Sequence, residues 1–491
     1  MGNCFGEKGS SVSAGQDELE VFCETGVEEL LIRQASSCGA AAADQRILIK
    51  GGSILSMDPQ IGDFAVGDIL IAGNTIIEVG LSIAAPGAVV VDASNSIVMP
   101  GFSDPHIHCW EGALGRLIPV NVSQDSKDPV AAVDGAVAST RSYLYSAHRE
   151  FGPIVEPEDV YAGTLATLLS ALNGGITTVV DNMHNARTPE HADAAVAALS
   201  ESGARGVLAL GAPRAGAWSN TFPDDIYRVR ERYFASEDQL CTLRLFAAGA
   251  DDLTDLVPVR KDLDLWFSFD SGLERQDISA LYQRGWLDGR EAINHANFLS
   301  PEQRQLIIDH GSQVNVCPRI ETGFRYGRLP YHEWVDQGLR PGLSNDNPMT
   351  YGVDMFTEMR TLHLALRIDE HRGGAKAPSL RAVLESATQA GANNAGLGAR
   401  TGSLTPGKKA DLVLIDASGP QLFPRNNVLC SVVQAADIGS VRAVMVDGRI
   451  VKWDGRLVGL NLDRVNHLVE QSRDRLLDKA GWPHDRIDFD D

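Results

Sequence analysis

The stretch Ser96-Ile97-Val98-Met99-Pro100-Gly101-Phe102, followed by Ser103-Asp104-Pro105-His106-Ile107-His108, is an apolar run that ends in two histidines one residue apart. In an extended strand, residues i and i+2 point to the same side, so both imidazoles should emerge together at the strand's C-terminal end. Imidazole is a good ligand for zinc or iron, and a catalytic metal site takes about three protein ligands. The stretch therefore predicts half of a metal site, although two histidines on a solvated loop can have the same spacing.

Strand-like segments alternate with helical segments after this run. The further strands are predicted over residues 175–181, 206–210, 242–246, 263–267, 292–295, 313–317 and 341–344. Together with the first run they make eight βα units, which close into a barrel with its active site at the C-terminal ends of the strands. We therefore predict an α/β fold whose centre, residues 96–403, is a (β/α)8 TIM-like barrel.

β-rich segments flank this central region on both sides. Residues 46–95 and 404–453 both contain short β-branched runs broken by polar turns, although about 300 residues separate them. We predict that they form one small β-sandwich domain from both ends of the chain. Residues 1–45 show little periodicity and are predicted to be an irregular N-terminal extension. Residues 454–491 are predicted to be a helical tail that could mediate a homo-oligomer contact.

Composition argues against several classes of partner. The formal net charge of −22 would repel a phosphate backbone, so we do not expect nucleic acid. Seven scattered cysteines form no CxxC pair, and their odd number argues against a disulfide framework and for a reducing compartment. No apolar run approaches the roughly 20 residues that cross a bilayer, and the N-terminus lacks a signal-peptide pattern. We predict a cytoplasmic protein that acts on a small molecule, away from membranes.

Polar side chains follow several predicted strands at the end where a barrel places its chemistry. His106 and His108 follow strand one, His295 follows strand six, and Asn345 and Asp346 follow strand eight. Because these strand ends meet at one mouth, His295 and Asp346 would complete a site with the histidine pair. A carboxylate beside an activated water is the expected proton acceptor.

Other residues near these strand ends are candidates for binding substrate. Trp110, just past the histidine pair, could lie against a planar ring or belong to the core. His184 follows strand two, and we group it with Trp110 and Asn345 as predicted substrate contacts. Asp181 is as consistent with a turn or helix cap as with a functional role.

These motifs resemble the amidohydrolase superfamily, in the group that contains cytosine, guanine and adenosine-type deaminases and triazine chlorohydrolases. The resemblance covers about residues 46–455. It rests on four stretches, which are 100–108 (PGFSDPHIH), 295–300 (HANFLS), 342–346 (GLSND) and 402–412 (GSLTPGKKADL). It implies a metal-dependent hydrolase whose ligands are His106, His108 and Asp346. His295 would orient or polarise the substrate or the water.

One departure from the family pattern lies on strand five. Members of this type carry a metal-binding histidine there and, three residues later, a glutamate that passes protons to the substrate. This chain reads LWFSFDSGLE over 265–274, which puts Ser268 and Ser271 at the two places. Serine is a poor ligand for a divalent transition metal.

This departure leaves the composition of the metal site open. His184 or His295 could supply the missing ligand, a weaker three-ligand site could remain, or metal could be lost. Asp270 or Glu274 could replace the glutamate, although surface or capping roles are the more ordinary ones for such carboxylates.

Two functions therefore stay open. The first is hydrolysis of a C–N bond in a small nitrogenous substrate, cyclic or acyclic, with one divalent metal for which zinc is expected and iron is the alternative. The second is an amidohydrolase-fold enzyme whose degenerate site cyclises, isomerises or eliminates, or only binds a ligand. The serine on strand five favours the second. The retained histidines and Asp346 favour the first, which we predict.

Overall fold

The computed structural model describes residues 25–36, 41–42, 44–118, 143–219, 222–249, 252–271, 278–324 and 326–484. The strands in these residues are β1 Arg46–Ile54, β2 Phe64–Ala72, β3 Thr75–Gly80, β4 Val89–Asp92, β5 Ser96–Pro100, β6 Phe102–Ile107, β7 Ile176–Met183, β8 Arg205–Leu210, β9 Thr242–Ala247, β10 Phe267–Asp270, β11 Glu291–Asn294, β12 Gln313–Val316, β13 Gly342–Leu343, β14 Leu412–Asp416, β15 Val441–Val446, β16 Arg449–Trp453 and β17 Arg456–Leu457.

The α-helices in the same residues are α1 Thr25–Ser36, α2 Tyr143–Tyr145, α3 Pro157–Asn173, α4 Pro189–Ser202, α5 Asp225–Tyr233, α6 Leu253–Leu263, α7 Ile278–Gln283, α8 Pro301–Asp309, α9 Pro318–Gly323, α10 Tyr331–Val335, α11 Met355–His371, α12 Leu380–Glu385, α13 Gly391–Asn394, α14 Val428–Cys430 and α15 Leu462–Ala480. Short 3₁₀ helices are Cys109–Leu114, Gly152–Ile154 and Ile438–Ser440, and π-helical turns are Ser146–Phe151, Ser386–Ala390 and Ser431–Ala435. None of these helices is both long enough and apolar enough to span a membrane.

Eight parallel strands, β6 to β13 in chain order, form the central barrel. The last strand meets the first through a parallel bridge between Ile107 and Asp346, which closes the sheet. Strands β6 to β9 are buried along their whole length, as expected for parallel strands that helices cover on the outside. The predicted TIM-like barrel is confirmed, and its C-terminal strand ends gather at one mouth.

Strand five begins later than the apolar run 263–267 suggests. Leu263 is the last residue of α6, and Asp264 ends that helix with a left-handed backbone, φ 53°. The strand β10 then starts at Phe267 and ends at Asp270. Asp270, and not an earlier residue, therefore stands at the mouth of the barrel on this strand.

A second sheet of nine strands has the order β17-β16-β15-β14-β5-β1-β2-β3, with β4 paired to β1. Strands from the two ends of the chain meet at β5, which pairs antiparallel with β14 and parallel with β1. The buried core of this sheet includes Ile47, Ile69 and Leu412 from both ends. The small domain built from both ends of the chain is therefore confirmed.

The chain passes from this sheet into the barrel at Gly101. A Cβ atom at Gly101 would lie 2.1 Å from Thr177 Oγ1, so only glycine fits there. The apolar run is consequently split, with β5 in the small sheet and β6 in the barrel, which corrects the predicted boundary at residue 96. We retain the other predicted domain boundaries as proposals.

Residues 25–36 form the helix α1, where the sequence predicted an irregular extension. Val27 and Leu30 lie three residues apart on one helix face and are buried in the core of the nine-stranded sheet. The Gln34 side chain accepts a hydrogen bond from Ile450 N at 3.0 Å, which ties the helix to β16. The expectation was wrong for these residues. A helix of 12 residues is only marginally stable by itself, and packing against the sheet stabilises it. Residues 1–24 lie outside the described residues.

A buried ion triad joins the barrel to the nine-stranded sheet. Arg205, at the start of β8, lies 2.8 Å from Asp411 and 2.8 Å from Asp447, and the Arg205 and Asp411 side chains are each 1% exposed. Removing one partner of such a pair leaves an uncompensated buried charge. The triad therefore helps to fix the two sheets against each other.

Candidate metal centre

Four side chains meet where the barrel closes. His106 Nε2 lies 3.4 Å from Asp346 Oδ1, and His108 Nε2 lies 3.5 Å from the same oxygen. His295 Nε2 lies 3.7 Å from Asp346 Oδ2. All four residues are buried. The structure thus brings together the residues that the sequence analysis selected from strands one, six and eight.

The backbone at two of these residues is strained. His295 and Asp346 have φ angles of 68° and 67°, in the left-handed region that non-glycine residues rarely adopt. His295 N donates to Asn315 O at 3.0 Å, and Asp346 N donates to His106 O at 3.1 Å. Such conformations cost roughly 1–3 kcal/mol each and cluster at functional sites. The neighbouring strands therefore hold His295 and Asp346 in an otherwise unfavourable geometry.

Hydrogen bonds orient the two imidazoles of the histidine pair. His108 Nδ1 lies 2.9 Å from Asn182 O, so Nδ1 is the donor and Nε2 keeps a lone pair towards Asp346. His106 Nδ1 lies 2.6 Å from the Asn182 amide, whose Oδ1 has no partner, and turning that amide over would let Nδ1–H donate to it. His106 Nε2 is buried and makes no hydrogen bond. Two imidazole lone pairs that face one carboxylate repel it unless a cation lies between them, so the donor set fits a divalent metal.

Asp346 and His295 hold opposite charges without metal. Burial raises the pKa of Asp346, but the imidazoles of His106 and His295 outweigh burial and lower it to about 2. Burial lowers the pKa of His295, but the hydrogen bond to Glu321 and the charge of Asp346 raise it to about 9. At neutral pH, Asp346 is therefore a carboxylate and His295 is an imidazolium.

Glu321 supports His295 and was missed in the sequence. Its Oε1 lies 3.2 Å from His295 Nδ1 and also accepts from Cys317 N at 2.9 Å. It stands in α9, directly after strand seven, and is fully buried. The only sequence signal was its position just past a strand end. Glu321 fixes the ring of His295 and determines that Nε2 faces Asp346.

Asp270 is the residue of strand five that faces this cluster. Its Oδ1 lies 3.8 Å from His106 Nδ1 and accepts a hydrogen bond from Asn294 Nδ2 at 2.8 Å. Ser268 lies two residues deeper in the barrel, and its Oγ accepts from the same amide at 3.3 Å. The family pattern aligned Ser268 with the metal-binding histidine, but the residue of this strand that lies at the mouth is Asp270. Glu274 lies outside the described residues.

Two groups of side chains in the described residues bring their ligand atoms within 4.8 Å of one another. One group is His106, His108 and Asp270, and the other is His106, His295, Cys317 and Asp346. His106 belongs to both groups, so the two groups adjoin at its imidazole ring.

His184 and Trp110 form an aromatic wall beside His108. The His184 ring stacks on the His108 ring, with centroids 4.4 Å apart and planes 10° apart. Its Nδ1 accepts a hydrogen bond from Trp110 Nε1 at 3.3 Å. Burial lowers the pKa of His184 well below its usual value, so the ring is neutral. His184 is in neither ligand group, and its predicted role as a replacement ligand gains no support from this geometry.

The Asn345 side chain ties the loop after β13 to its surroundings by hydrogen bonds. Its Nδ2 donates to Asp104 Oδ2 at 2.8 Å, and its Oδ1 accepts from Arg319 at 2.7 Å and from Asp354 N at 2.8 Å. Both sides of the amide are therefore used within the protein. Asn345 positions Asp346, and the predicted contact with substrate has no geometric support.

Glu111 is a second buried acid near the site. Its Oε1 accepts from the Tyr143 hydroxyl at 2.9 Å, and its Oε2 has no hydrogen-bond partner. Burial, reinforced by the charge of Asp346, raises the pKa of Glu111 well above its usual value. Glu111 therefore holds its proton more tightly than an exposed carboxylic acid does.

Comparisons with known proteins agree with this architecture. Residues 267–451 match the model of the amidohydrolase family. The chain is 25% identical over 458 residues to a 5-methylthioadenosine/S-adenosylhomocysteine deaminase of Symbiobacterium thermophilum, covering 88% of this chain and 99% of the relative. An adenosine deaminase of Xanthomonas campestris with bound zinc has a TM-score of 0.74 at 20% identity, covering 88% and 99% of the two chains. The zinc complex of an atrazine chlorohydrolase of Arthrobacter aurescens has a TM-score of 0.72 at 22% identity, covering 87% and 100%.

Proposed function

We propose that the chain is an enzyme of the amidohydrolase type, a metal-dependent hydrolase that cleaves a C–N bond in a small nitrogenous, cyclic substrate. The observation that carries the proposal is the meeting of His106, His108 and His295 around the Asp346 carboxylate. Similar proteins named as deaminases of adenosine and its derivatives support the type of bond.

His106, His108 and Asp346 are the residues that would hold the metal. The buried His106 Nε2, which has no hydrogen bond, is the observation that fits them to a cation. A bound divalent cation, with zinc expected and iron as the alternative, would supply Lewis-acid activation of water near neutral pH. The zinc in two of the similar structures supports this choice.

The protein's own groups then handle the protons. Asp346, which is ionised at neutral pH, accepts a proton from the attacking water as its oxygen bonds to the substrate carbon. His295, fixed by Glu321, orients the substrate with its Nε2–H. When the C–N bond breaks, the leaving nitrogen needs one proton; His295 is the first donor near Asp346, and Glu111, whose pKa burial raises, is the second.

The aromatic wall of Trp110 and His184 supports a planar substrate. Both side chains are buried beside His108, and flat aromatic faces bind rings by offset or edge-to-face contact. Neutral His184 adds no charge there, which suits an uncharged heterocycle. We therefore assign substrate binding to Trp110 and His184.

A panel of ring substrates tests the proposal. Metal-loaded protein is incubated with adenosine, 5-methylthioadenosine, cytosine, guanine and atrazine, and release of ammonia, amine or chloride is measured. His106→Ala and Asp346→Asn should each lower the rate by about 100-fold or more, because removing a ligand costs at least as much as removing its support. His467→Ala, on the distant helix α15, is the matched histidine control and should keep full activity. Equal rates for His106→Ala and the unmodified protein would contradict the proposal.

The absence of a histidine from strand five favours the alternative function, non-hydrolytic chemistry on the same fold. Cyclisation, isomerisation or elimination would convert a substrate without taking up water. Reaction in ¹⁸O-labelled water separates the two, because only hydrolysis places the label in the product.

Location and assembly remain predictions. Cys109, Cys241, Cys317 and Cys430 are free thiols in the described residues, as a reducing compartment such as the cytoplasm favours. Light scattering on the purified protein tests whether it is a homo-oligomer.

A further inference from the structure

We propose that Asp270 is itself a metal ligand, so that the site combines histidines with two carboxylates and prefers a harder divalent ion than a purely histidine-rich site would. The inference rests on the metal dependence proposed above, and it adds to that function a ligand and a metal preference.

The position of Asp270 follows from the pairing of the strands. Asp270 ends β10 and is in register with Asn294 on β11, whose amide donates to Asp270 Oδ1 at 2.8 Å. This bond holds the carboxylate with Oδ1 3.8 Å from His106 Nδ1. The carboxylate therefore stands against the imidazole of His106, and Nδ1 is the ring nitrogen nearest to it.

Asp270 also faces the other imidazoles of the site. Its ligand oxygen lies within 4.8 Å of those of His106 and His108. Its negative charge acts on His108 and on His295, which reach the mouth from strands one and six. The carboxylate is therefore directed into the cluster, and its side chain is 20% exposed, on the open side of the mouth.

The charge of the site calls for a cation. Asp346 is buried and Asp270 is partly exposed, both lie next to His106, and within the described ranges their ion pairs are all with histidines. His295 offsets one of these two negative charges, which leaves one for a bound cation to balance. His106 Nε2, buried and without a hydrogen bond, faces Asp346, while Asp270 lies nearest to Nδ1 of the same ring.

Cys317 is the competing donor. Its sulfur lies within 4.8 Å of ligand atoms of His106, His295 and Asp346. Burial, together with the nearby carboxylates, raises the pKa of its thiol well above the usual value, so it is a neutral thiol without metal. The two donors imply opposite preferences, because a thiolate selects zinc whereas a carboxylate suits Mn²⁺ or Fe²⁺. Metal selectivity therefore distinguishes them.

Metal-binding measurements on full-length variants test the assignment. Metal-free protein is titrated with Zn²⁺ and with Mn²⁺ in competition with a chromophoric chelator, and bound Mn²⁺ is counted by electron paramagnetic resonance. Asp270→Asn should weaken binding of both ions by at least about tenfold. Asp270→His should retain zinc and shift the Mn²⁺/Zn²⁺ affinity ratio towards zinc by at least about tenfold. Ser268→Ala, one layer deeper on the same strand, is the matched control and should bind both ions as the unmodified protein does.

Several results would overturn the inference. Unchanged affinities in Asp270→Asn would exclude Asp270 as a ligand. The same conclusion would follow if Cys317→Ser lost metal while Asp270→Asn retained it. If Asp270→Asn fails to fold, Asp270→His decides, and an unchanged Mn²⁺/Zn²⁺ ratio there overturns the assignment. Loss of metal in Asp270→Asn without hydrolysis by the unmodified protein would refute only the proposed function. Hydrolysis with normal metal content in Asp270→Asn would refute only the ligand.

Discussion

The buried carboxyl group of Asp181 should make the stability of the fold depend on pH near neutrality. Asp181 lies on β7, and its Oδ1 accepts a hydrogen bond from Cys109 N at 3.0 Å, at the first residue of the 3₁₀ helix after the histidine pair. The sequence analysis placed Asp181 past the end of strand two, whereas the residue lies within β7 and its carboxylate bonds to the backbone after strand one. Its Oδ2 is buried without a partner. Burial raises the pKa of Asp181 to about 7, and the bonds to Cys109 offset only part of this.

Asp181→Asn keeps the shape of the side chain and an oxygen that can accept the hydrogen bond from Cys109 N, but it removes the group that titrates. The pKa rises from an ordinary 3.8 to about 7 on folding, and about three units at ~1.36 kcal/mol each give about 4 kcal/mol. Because the folded-state pKa is the higher one, the folded protein binds more protons between these values. The stability from this group is complete below pH about 4 and is lost as the pH rises through about 7. The variant should therefore match the unmodified protein at acid pH and exceed its stability by up to about 4 kcal/mol at pH above 8.

Urea unfolding of the metal-free proteins between about pH 5 and 8.5 measures this difference. Asp238→Asn, whose side chain is 82% exposed, changes the charge equally without burial and is the control. Its stability relative to the unmodified protein should stay flat over the range, since exposed charges contribute little. A difference between Asp181→Asn and the unmodified protein that does not grow with pH would refute the argument.

Three further changes have defined outcomes. Asp411→Asn leaves the buried guanidinium of the ion triad short of a partner and should lower the free energy of unfolding by about 3–5 kcal/mol in urea. Gly163→Ala places a Cβ atom 2.2 Å from Trp110 O, so α3 must move; calorimetry should show a lower Tm, and KM should rise. Glu321→Gln removes the charged partner of His295 Nδ1 and should lower kcat about 10–100-fold, with metal content by mass spectrometry unchanged.

The sequence could predict the residues whose place depends only on strand ends. His106, His108 and Asp346 were selected because they follow apolar runs, and parallel barrel strands necessarily end at one mouth. The seam between strands one and eight then brings them together, as the Ile107–Asp346 bridge shows. The point where the chain changes sheets was not predictable from the same run, since the apolar residues continue through Phe102 and the close approach at Gly101 that separates the two strands arises only in the fold.

Buried carboxylates were the residues that the sequence could not identify. Glu111 and Glu321 are fully buried, but acidic residues are mostly exposed, so pattern and composition place them at the surface. Their burial depends on partners far along the chain, such as Tyr143 for Glu111. Only the folded structure shows that these acids face the site, and a buried acid near an active site is informative because its protonation state is perturbed.

Strand five shows why motif spacing and ligand position can diverge. Ser268 and Asp270 are two residues apart on β10, so both side chains point to the inside of the barrel and differ only in depth. A motif compares positions along the chain, whereas a metal site needs donors at one depth, and that depth follows from the register of β10 with β11. The register places Asp270 beside His106 and leaves Ser268 bonded to Asn294 below. The strand therefore offers a carboxylate at the depth of the site, and the missing histidine alone does not imply a missing ligand.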